Sequence, residues 1–449
     1  MAEYDLTARM VAHMDRHLAL RMLESLQERK VYADAQILQG KICLLSGTNM
    51  VDYAMDIHKS LHGTEDVPAA MVARRSEVVE RLGTLKEAVA PIVAFLSSPL
   101  LVQELRADKQ YNIGMLQDRH QIGPDQIDAL YQYAKFQFEC GMYSDAADFL
   151  YQYRALCTDG ERSLSALWGK LAAEILMQNW DVAQEELNRL KEIIDSNSFF
   201  SASPISQLHS RIWLMHWSLF IFFNHENGKN GIIDLFFQDR YLNAIQTNAP
   251  HLLRYLAVAG VVNKRRRNSM LKELIRVIQQ EQQQQQSSYK QDPIIEFLEC
   301  LYVKYDFDGA LQKLVECEQV ILNDPFLGKH VEEGGSVTAP LRDEFLENAR
   351  LLILENYCRI HGCIDIDILA RKMNMAYGEA ERWMMNLVKS SKLDGKIDSV
   401  TGSLIMTANH VNVHEKIIES MKNLNARTCL LGMSLVDPGH AAPAQQAAR

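Results

Sequence analysis

The stretch "ECGMYSDAADFL", residues 139–150, carries an apolar run that stops at Cys140, a Gly-Met break, and then Tyr143, Ser144 and two alanines. The same texture returns in "LMQNWDVAQEEL" (176–187), with Trp180, Asp181 and Ala183, and in "YVKYDFDGALQKL" (302–314), with Phe307, Asp308 and Ala310. Each copy reads aromatic, then Ser or Asp, then Ala three residues after the aromatic. The pattern predicts a helical hairpin in which the aromatic ends one helix and fills the gap to the next. Ser or Asp then caps the second helix by accepting a backbone N–H that lacks a helical partner. The small Ala lets the two helices approach. The first two aromatics stand 37 positions apart (143 and 180), a spacing found in two-helix repeats. We expect a mainly α fold built as a right-handed helical-repeat solenoid.

Composition agrees. Only 11 prolines and 22 glycines punctuate 449 residues, and 47% of the chain is hydrophobic, enough for substantial cores. Long stretches of Leu, Ala, Glu, Gln, Met and Lys favour helix. The net charge of −10 argues against holding bulk nucleic acid by charge alone. The eight cysteines form no C-x-x-C pair, as expected of reduced, largely buried thiols in a cytosolic or nuclear protein. "MAEYDLTARM" has no apolar signal core. The most apolar run, "WLMHWSLFIFF" (213–223), is too short to span a bilayer and is interrupted by His216 and Ser218, so it is expected to be a core helix. A soluble, non-secreted, cytoplasmic protein is the reading.

Residues 1–124 are expected to form an N-terminal helical region. "VAHMDRHLALRMLESLQ" reads as one amphipathic helix, and "GTNMVDYAMDIHKSLHG" (47–63) as a second with Thr48 or Asn49 as its cap. "AAMVARRSEVVERLGTLKEAVAPIVAFL" (69–96) reads as a long charged helix that Pro91 ends or kinks. The helical-repeat region is expected over 125–340. It carries a glutamine-rich loop near 279–291 and a second loop, "GKHVEEGGSVTAP" (328–340).

From 341 to 410 the texture changes. "RDEFLENARLLILENYCRIHG" is one helix, and "IDIDILARKMN" a short second one with Asp367 as cap. "AYGEAERWMMNLVKSSK" is a third, with Ala380, Trp383, Leu387 and Ser391 along one stripe. Period two then appears in "LDGKIDS" (393–399). Leu393, Gly395 and Ile397 face one way, and Asp394, Lys396 and Asp398 the other. "VTG" turns the chain and "SLIMT" returns it. Three helices and a β-hairpin make a winged helix with a small antiparallel sheet. A C-terminal helix over 411–435 and a disordered tail over 436–449 complete the expected organisation.

Candidate chemistry is sparse. His13 and His17 of "HMDRH" sit four apart, but Met14 occupies the position where a zinc peptidase needs Glu, so a surface helix is the better reading. "CRIHGC" (358–363) fits no standard zinc spacing, and Cys358 lies on an apolar stripe. No nucleophile elbow, phosphate loop or dinucleotide fingerprint occurs, so no enzymatic activity, cofactor or metal is expected. "NKRRRN" supplies the sharpest basic cluster, Lys264, Arg265, Arg266 and Arg267. It is a candidate RNA contact or nuclear address, against the plainer reading of a solvated turn. A winged helix also raises a transcription regulator. Between Asp365 and Asp398, however, six acids (365, 367, 379, 381, 394, 398) meet six bases (371, 372, 382, 389, 392, 396), leaving no basic face for DNA.

A solenoid running into a winged helix resembles the PCI module of the proteasome lid, the signalosome and a translation initiation complex. Within that group the chain resembles the e-subunit family of eukaryotic translation initiation factor three. The resemblance rests on "AEYDLT", "MDRHL", "LLSGTNMVDYAMDI" (44–57), "YAKFQFECGMYSDAADFLY" (133–151), "LWGKLAAEILMQNWD" (167–181), "WLMHWSLFIFFNH" (213–225), "RYLNAIQT" (240–247) and "AERWMMNLVKSSKLDGKIDS" (380–399). These strings run from the first residues to the winged helix. Three features depart from the family: the glutamine tract (279–286), the 328–340 loop, and Ala376, Tyr377 and Gly378 where the family opens its third helix with Ser/Thr-Pro. The resemblance implies a non-enzymatic scaffold component of that initiation factor. It would dock other PCI subunits, sit on the small ribosomal subunit and meet mRNA or ribosomal RNA at most indirectly, with no membrane partner. A scaffold of the proteasome lid or signalosome is the alternative from the same fold. The free edge of the 393–399 strand, at Asp394, Lys396, Ile397 and Asp398, is the expected protein-pairing site.

Overall fold

The computed structural model describes residues 4–98, 106, 108–196, 203–225, 228–263, 267–284, 292–328, 330–331, 337–338, 340–372, 376–390, 395–398, 402–406 and 413–436. The chain divides into two compact units, residues 1–353 and 354–449. It is mainly α, with one three-stranded antiparallel sheet.

The first unit opens with α1 (Thr7–Val11), α2 (Arg16–Glu28), α3 (Asp34–Leu45), α4 (Val51–His62) and α5 (Ala69–Leu96). It continues with α6 (Lys109–His120), α7 (Pro124–Glu139), α8 (Tyr143–Leu156), α9 (Gly160–Leu176), α10 (Trp180–Asp195), α11 (Pro204–Phe222), α12 (Gly228–Phe236) and α13 (Asp239–Asn248). It ends with α14 (Leu253–Val262), α15 (Arg267–Gln284), α16 (Pro293–Glu299), α17 (Phe307–Asn323), the short hairpin of β1 (His330–Val331) and β2 (Val337–Thr338), and most of α18 (Pro340–Ile360).

The repeated pattern is real, but its chemistry differs from the expectation. Tyr143, Trp180 and Phe307 begin α8, α10 and α17 instead of ending the helices before them. Two residues earlier stands a left-handed residue each time: Gly141 at φ 89°, Gln178 at φ 64° and Tyr305 at φ 54°. The next N–H reaches back into the preceding helix. Met142 donates to the Gln137 carbonyl, Asn179 to Glu174 and Asp306 to Cys300, at 2.9–3.0 Å. This closure satisfies a carbonyl that the helix end leaves open. The third reaches one residue further because Cys300–Lys304 form a π turn. Ser144, Asp181 and Asp308 therefore lie inside the first helical turn. The caps are the residues before the aromatic, and only Asp306 caps with its side chain, accepting from Gly309. The alanines behave as expected: Ala146, Ala183 and Ala310 are fully buried.

Other expectations are corrected. The first helix breaks after Val11, and Asp15 caps α2 by accepting from His17 N–H at 2.9 Å. His13 and His17 thus do not share a helix, and His17 is buried. Met50, not Thr48 or Asn49, precedes α4, and Asn49 instead ties to Glu139 through both backbone and side chain. Helix α5 runs through Pro91, which lies on its exposed face, where water reaches the carbonyl that the missing N–H leaves free. Helix α15 continues through Gln279–Gln284, since Gln is a good helix former and Val277 and Ile278 anchor the preceding turn. Residues 285–291 and 437–449 lie outside the described residues. The 328–340 segment contains the β1–β2 pair. The 213–223 run is a core helix as expected, buried from Leu214 to Phe222.

One core joins the two ends of this unit. Leu6, Met10, Met14, Leu18 and Met22 pack in the same cluster as residues from α9 to α18. Arg254 is its polar node. It pairs with Asp292 and, at 3.0 Å, with Asp324, and donates to the Tyr4 carbonyl at 2.6 Å. Tyr255 donates to the same Asp324 at 3.0 Å. Burial lowers the Arg254 pKa, but the two carboxylates outweigh it and the net shift is upward. A second buried carboxylate, Glu186, accepts from Lys170, Arg154 and Arg189 at 2.9, 3.2 and 2.6 Å and so ties α8, α9 and α10. His216 and His251 share a 2.8 Å N···N bond in the core, with the His13 ring 4.8 Å from His216. Burial pulls their pKa values down to about 3 and about 2, with neighbouring histidines adding to it.

Two outcomes follow. Arg254→Met leaves Asp292 and Asp324 buried without their cation and is expected to cost about 3–5 kcal/mol. Arg254→Met combined with Asp324→Asn should recover part of that in urea melts. The two histidines fold neutral while the unfolded chain binds protons below about pH 6.5. Stability should therefore be fully present above that pH and fall toward pH 4, by up to about 1.4 kcal/mol per pH unit for each histidine. Melting temperature against pH checks this, and His251→Gln should flatten the profile.

Candidate functional site

The second unit is built from the end of α18, β3 (Cys363–Asp365), α19 (Ile366–Lys372), α20 (Tyr377–Ser390), β4 (Gly395–Asp398), β5 (Ser403–Met406) and α21 (Val413–Val436). Leu354, Cys358, Ile364, Ile366, Ala370, Ala380, Met384 and Leu404 are its buried residues of least exposure. Strand β3 was not expected. Its signal is the alternation in "CID", where only Ile364 is buried. Asp365, not Asp367, caps α19, accepting the Asp367 N–H at 2.8 Å, while Asp367 pairs with Arg371. On α20, Ala380 and Met384 are buried and Trp383 only half-buried. The side chains of Leu387 and Ser391 lie outside the described residues. In place of a Ser/Thr-Pro opening, the Ala376 carbonyl accepts from Glu379 and Ala380, both at 2.9 Å.

The sheet has the order β3-β5-β4, so the return strand lies in the middle and β4 at an edge. Its register pairs Lys396 with Ile405, Ile397 with Leu404 and Asp398 with Ser403. Met406 N–H donates to the Gly362 carbonyl at 2.8 Å, and the Gly402 carbonyl accepts from Ile366 at 3.1 Å. Residues 402, 404 and 406 therefore aim their backbone groups at β3, and 403 and 405 aim theirs at β4. By the pairing rule of antiparallel ladders, Lys396 and Asp398 bond inward, and Gly395 and Ile397 turn N–H and C=O outward. The side chains divide as expected: Ile397 lies opposite buried Leu404, and Lys396 opposite exposed Ile405. Asp394 lies outside the described residues. Among the described residues, no strand lies beyond β4.

Lys264, Arg265 and Arg266 also lie outside the described residues, and Arg267 opens α15. In "CRIHGC", burial pushes the Cys358 thiol up to about 12, Cys363 is exposed on β3, and the His361 ring packs on Tyr357 at 4.1 Å. Among the described residues, no group of three His, Cys, Asp or Glu side chains is placed to hold a metal. Half of the cysteines, 157, 300, 317 and 358, are buried; Cys43, Cys363 and Cys429 are exposed. No helix among the described residues is long and apolar enough to cross a membrane.

Sequence reading also missed the surface of α21. Ile417, Met421, Leu424 and Leu431, spaced four, three and seven, are each at least 50% exposed. That spacing is a coiled-coil seam.

Residues 5–137 match the model of the eIF3 subunit 6 N terminal domain, and residues 311–408 match the PCI domain. The E-subunit of eukaryotic translation initiation factor 3 from Arabidopsis thaliana is 65% identical over 434 residues, covering 97% of each chain. The chain belongs to the E-subunit family of eukaryotic translation initiation factor 3. Members from Bombyx mori and Drosophila ananassae are each 41% identical, over 98% and 95% of this chain and 97% and 94% of theirs. Family membership makes the chain a translation initiation factor. The PCI match covers α17 to β5, the span that ends on the open-edged sheet.

Proposed function

We propose that this chain is a non-enzymatic scaffold subunit. It docks neighbouring PCI subunits of the initiation factor through the outer edge of β4 and rests with them on the small ribosomal subunit in the cytoplasm. The carrying observation is the pair of outward backbone groups at Gly395 and Ile397. An exposed edge is either blocked or used. Lys396 and Asp398 bond inward and charge one face of the strand, but they leave the ladder positions open. A second sheet adding here extends the ladder by main-chain bonds. The exposed seam of α21 offers helical partners a second contact of the same assembly. The cluster Lys264, Arg265, Arg266 and Arg267 is assigned to a solvated turn that contributes little to subunit association, and it is the candidate for any RNA contact.

Ile397→Pro deletes an outward N–H and is expected to lower co-purification of PCI subunits at least about tenfold, with helical content by circular dichroism unchanged. Ile397→Ala controls for lost packing and should retain them. Lys396→Pro removes an inward donor and should loosen the β4–β5 hairpin itself. Wild-type recovery of partners with Ile397→Pro refutes edge pairing and moves the contact to the helices.

Replacing Lys264, Arg265, Arg266 and Arg267 together with Ser should leave subunit association intact. If the cluster contacts RNA, ribosome association of the unaltered chain weakens steeply as salt rises, and the substituted chain loses that dependence. A loss of subunit binding that is independent of salt counts against this placement.

A further inference from the structure

Three tryptophans form a corner on the first unit. Trp213 and Trp217, one turn apart on α11, lie nearly parallel at 17° with centroids 6.2 Å apart. Trp168 of α9 stands across both, at 82° and 79° and at 6.1 and 4.7 Å. Trp217 is buried and donates Nε1–H to the His13 carbonyl at 3.3 Å, Trp168 is half-buried and Trp213 is 42% exposed. The three rings line a cavity of about 390 Å³ together with Leu150, Gly169 and Ala172. Gly169 preserves that space, since a Cβ there would meet Leu150 Cδ1 at 3.0 Å.

The lining carries no net charge, because Arg16 and Lys135 balance Asp15 and Glu139. Most of its polar groups are already committed. Asp15 accepts from the His17 N–H and Nδ1, both at 2.9 Å, and Glu139 accepts from Asn49 at 2.9 Å. Arg16 donates to the Gly47 carbonyl, and the Thr48 hydroxyl donates to the Leu45 carbonyl at 2.9 Å. His17 Nε2 has no partner, but it is buried and out of a ligand's reach. The hydroxyls of Tyr131 and Ser165 are different. They bond to each other at 2.7 Å, which uses one of their two protons and leaves the other free to donate. Ser165 stands three residues before Trp168 on α9, one helical turn from that indole.

A neutral lining gives neither a cation nor a phosphate a charge to pair with. Open indole faces favour another aromatic ring, packed offset or edge-to-face, beyond the area it buries. A spare hydroxyl one turn away suits a ring that also carries a polar atom. Tyrosine and tryptophan side chains combine the two properties and recur at the centres of protein interfaces.

We propose that this corner receives a tyrosine or tryptophan side chain from a partner protein, with its ring against Trp213 and Trp168 and its polar atom toward Tyr131 and Ser165. The corner belongs to the first unit and the β4 edge to the second, and the test uses the full chain alone, so failure of either reading leaves the other standing.

The chain labelled with 5-fluorotryptophan has five fluorine signals, one per tryptophan, and Trp→Phe variants assign them. Titration with the blocked peptide acetyl-Gly-Tyr-Gly-amide should shift the Trp213 and Trp168 signals saturably in the millimolar range and leave those of Trp180 and Trp383 in place. The leucine peptide should bind at least about threefold more weakly, and the arginine peptide should give no saturable shift. Trp213→Ala, at an exposed position, should abolish the shift of Trp168. Tyr131→Phe combined with Ser165→Ala should lower the affinity for the tyrosine peptide to that for the phenylalanine peptide. An unchanged preference for tyrosine in that double variant overturns the proposal. So does equal affinity for the leucine or arginine peptide. Tighter binding of uridine monophosphate overturns it too, and would make the corner a base-stacking platform. So does the absence of any saturable shift up to about 20 mM, beyond what one buried aromatic ring should require.

Discussion

The first unit depends on one buried cation. Arg254 sits on α14, where the surrounding sequence "LLRYLAVAG" is otherwise apolar. It joins three places far apart in the chain: the Tyr4 carbonyl, Asp292 at the start of α16 and Asp324 at the end of α17. Each carboxylate has a second task. Asp292 caps α16 by accepting from Ile294, and Asp324 accepts from Phe326 and Leu327. A charge in a core costs free energy unless paired and hydrogen-bonded. Here the pairing cannot form until the N-terminal stretch of chain, α14 and the α16–α17 pair are all in place. The node therefore contributes register more than net stability.

Around that node the repeat does the ordinary work of stacking. A left-handed residue, a closing N–H and a buried Ala bring one helix back along the last. Gly141 adopts this conformation at no steric cost, whereas Gln178 and Tyr305 adopt it with a side chain attached. Glu186 then fastens three consecutive helices from inside, with its cations drawn from α8, α9 and α10. The same helices carry Trp168 and meet Trp213 and Trp217, so the aromatic corner is set by solenoid packing.

The second unit solves a different problem. A sheet of three short strands has two edges and little area. Its central strand, β5, carries the fully buried Leu404, and β4 contributes Ile397 opposite it. The inward bonds of Lys396 and Asp398 hold β4 in place, and the outward groups of its neighbours remain available. Helix α21 shows the same imbalance, since its apolar seam is exposed among the described residues. Both features leave groups uncovered among the described residues: backbone N–H and C=O on the strand, apolar side chains on the helix.

Much of this was legible in the sequence. Period two in "LDGKIDS" identified the hairpin, and among its described residues Ile397 lies opposite buried Leu404 and Lys396 opposite exposed Ile405, as the alternation requires. The aromatic–Asp–Ala pattern located three helical turns, and the long strings identified the family. The sequence misassigned the caps, because Ser and Asp are favoured both at the cap and in the first turn, and only backbone geometry separates the two. It placed His13 and His17 on a surface helix, because four-residue spacing cannot reveal the break at Asp15. It was silent on Arg254, on the His216–His251 pair and on the tryptophan corner. What the sequence by itself determined is local: periodicity, turn residues and the order of elements, each fixed by neighbours a few positions away. The tertiary structure alone decided which buried charges meet, which strand edge stays open and which rings share a cavity. Those depend on residues far apart in the chain, 250 positions in the case of Tyr4 and Arg254, and no local preference encodes that distance.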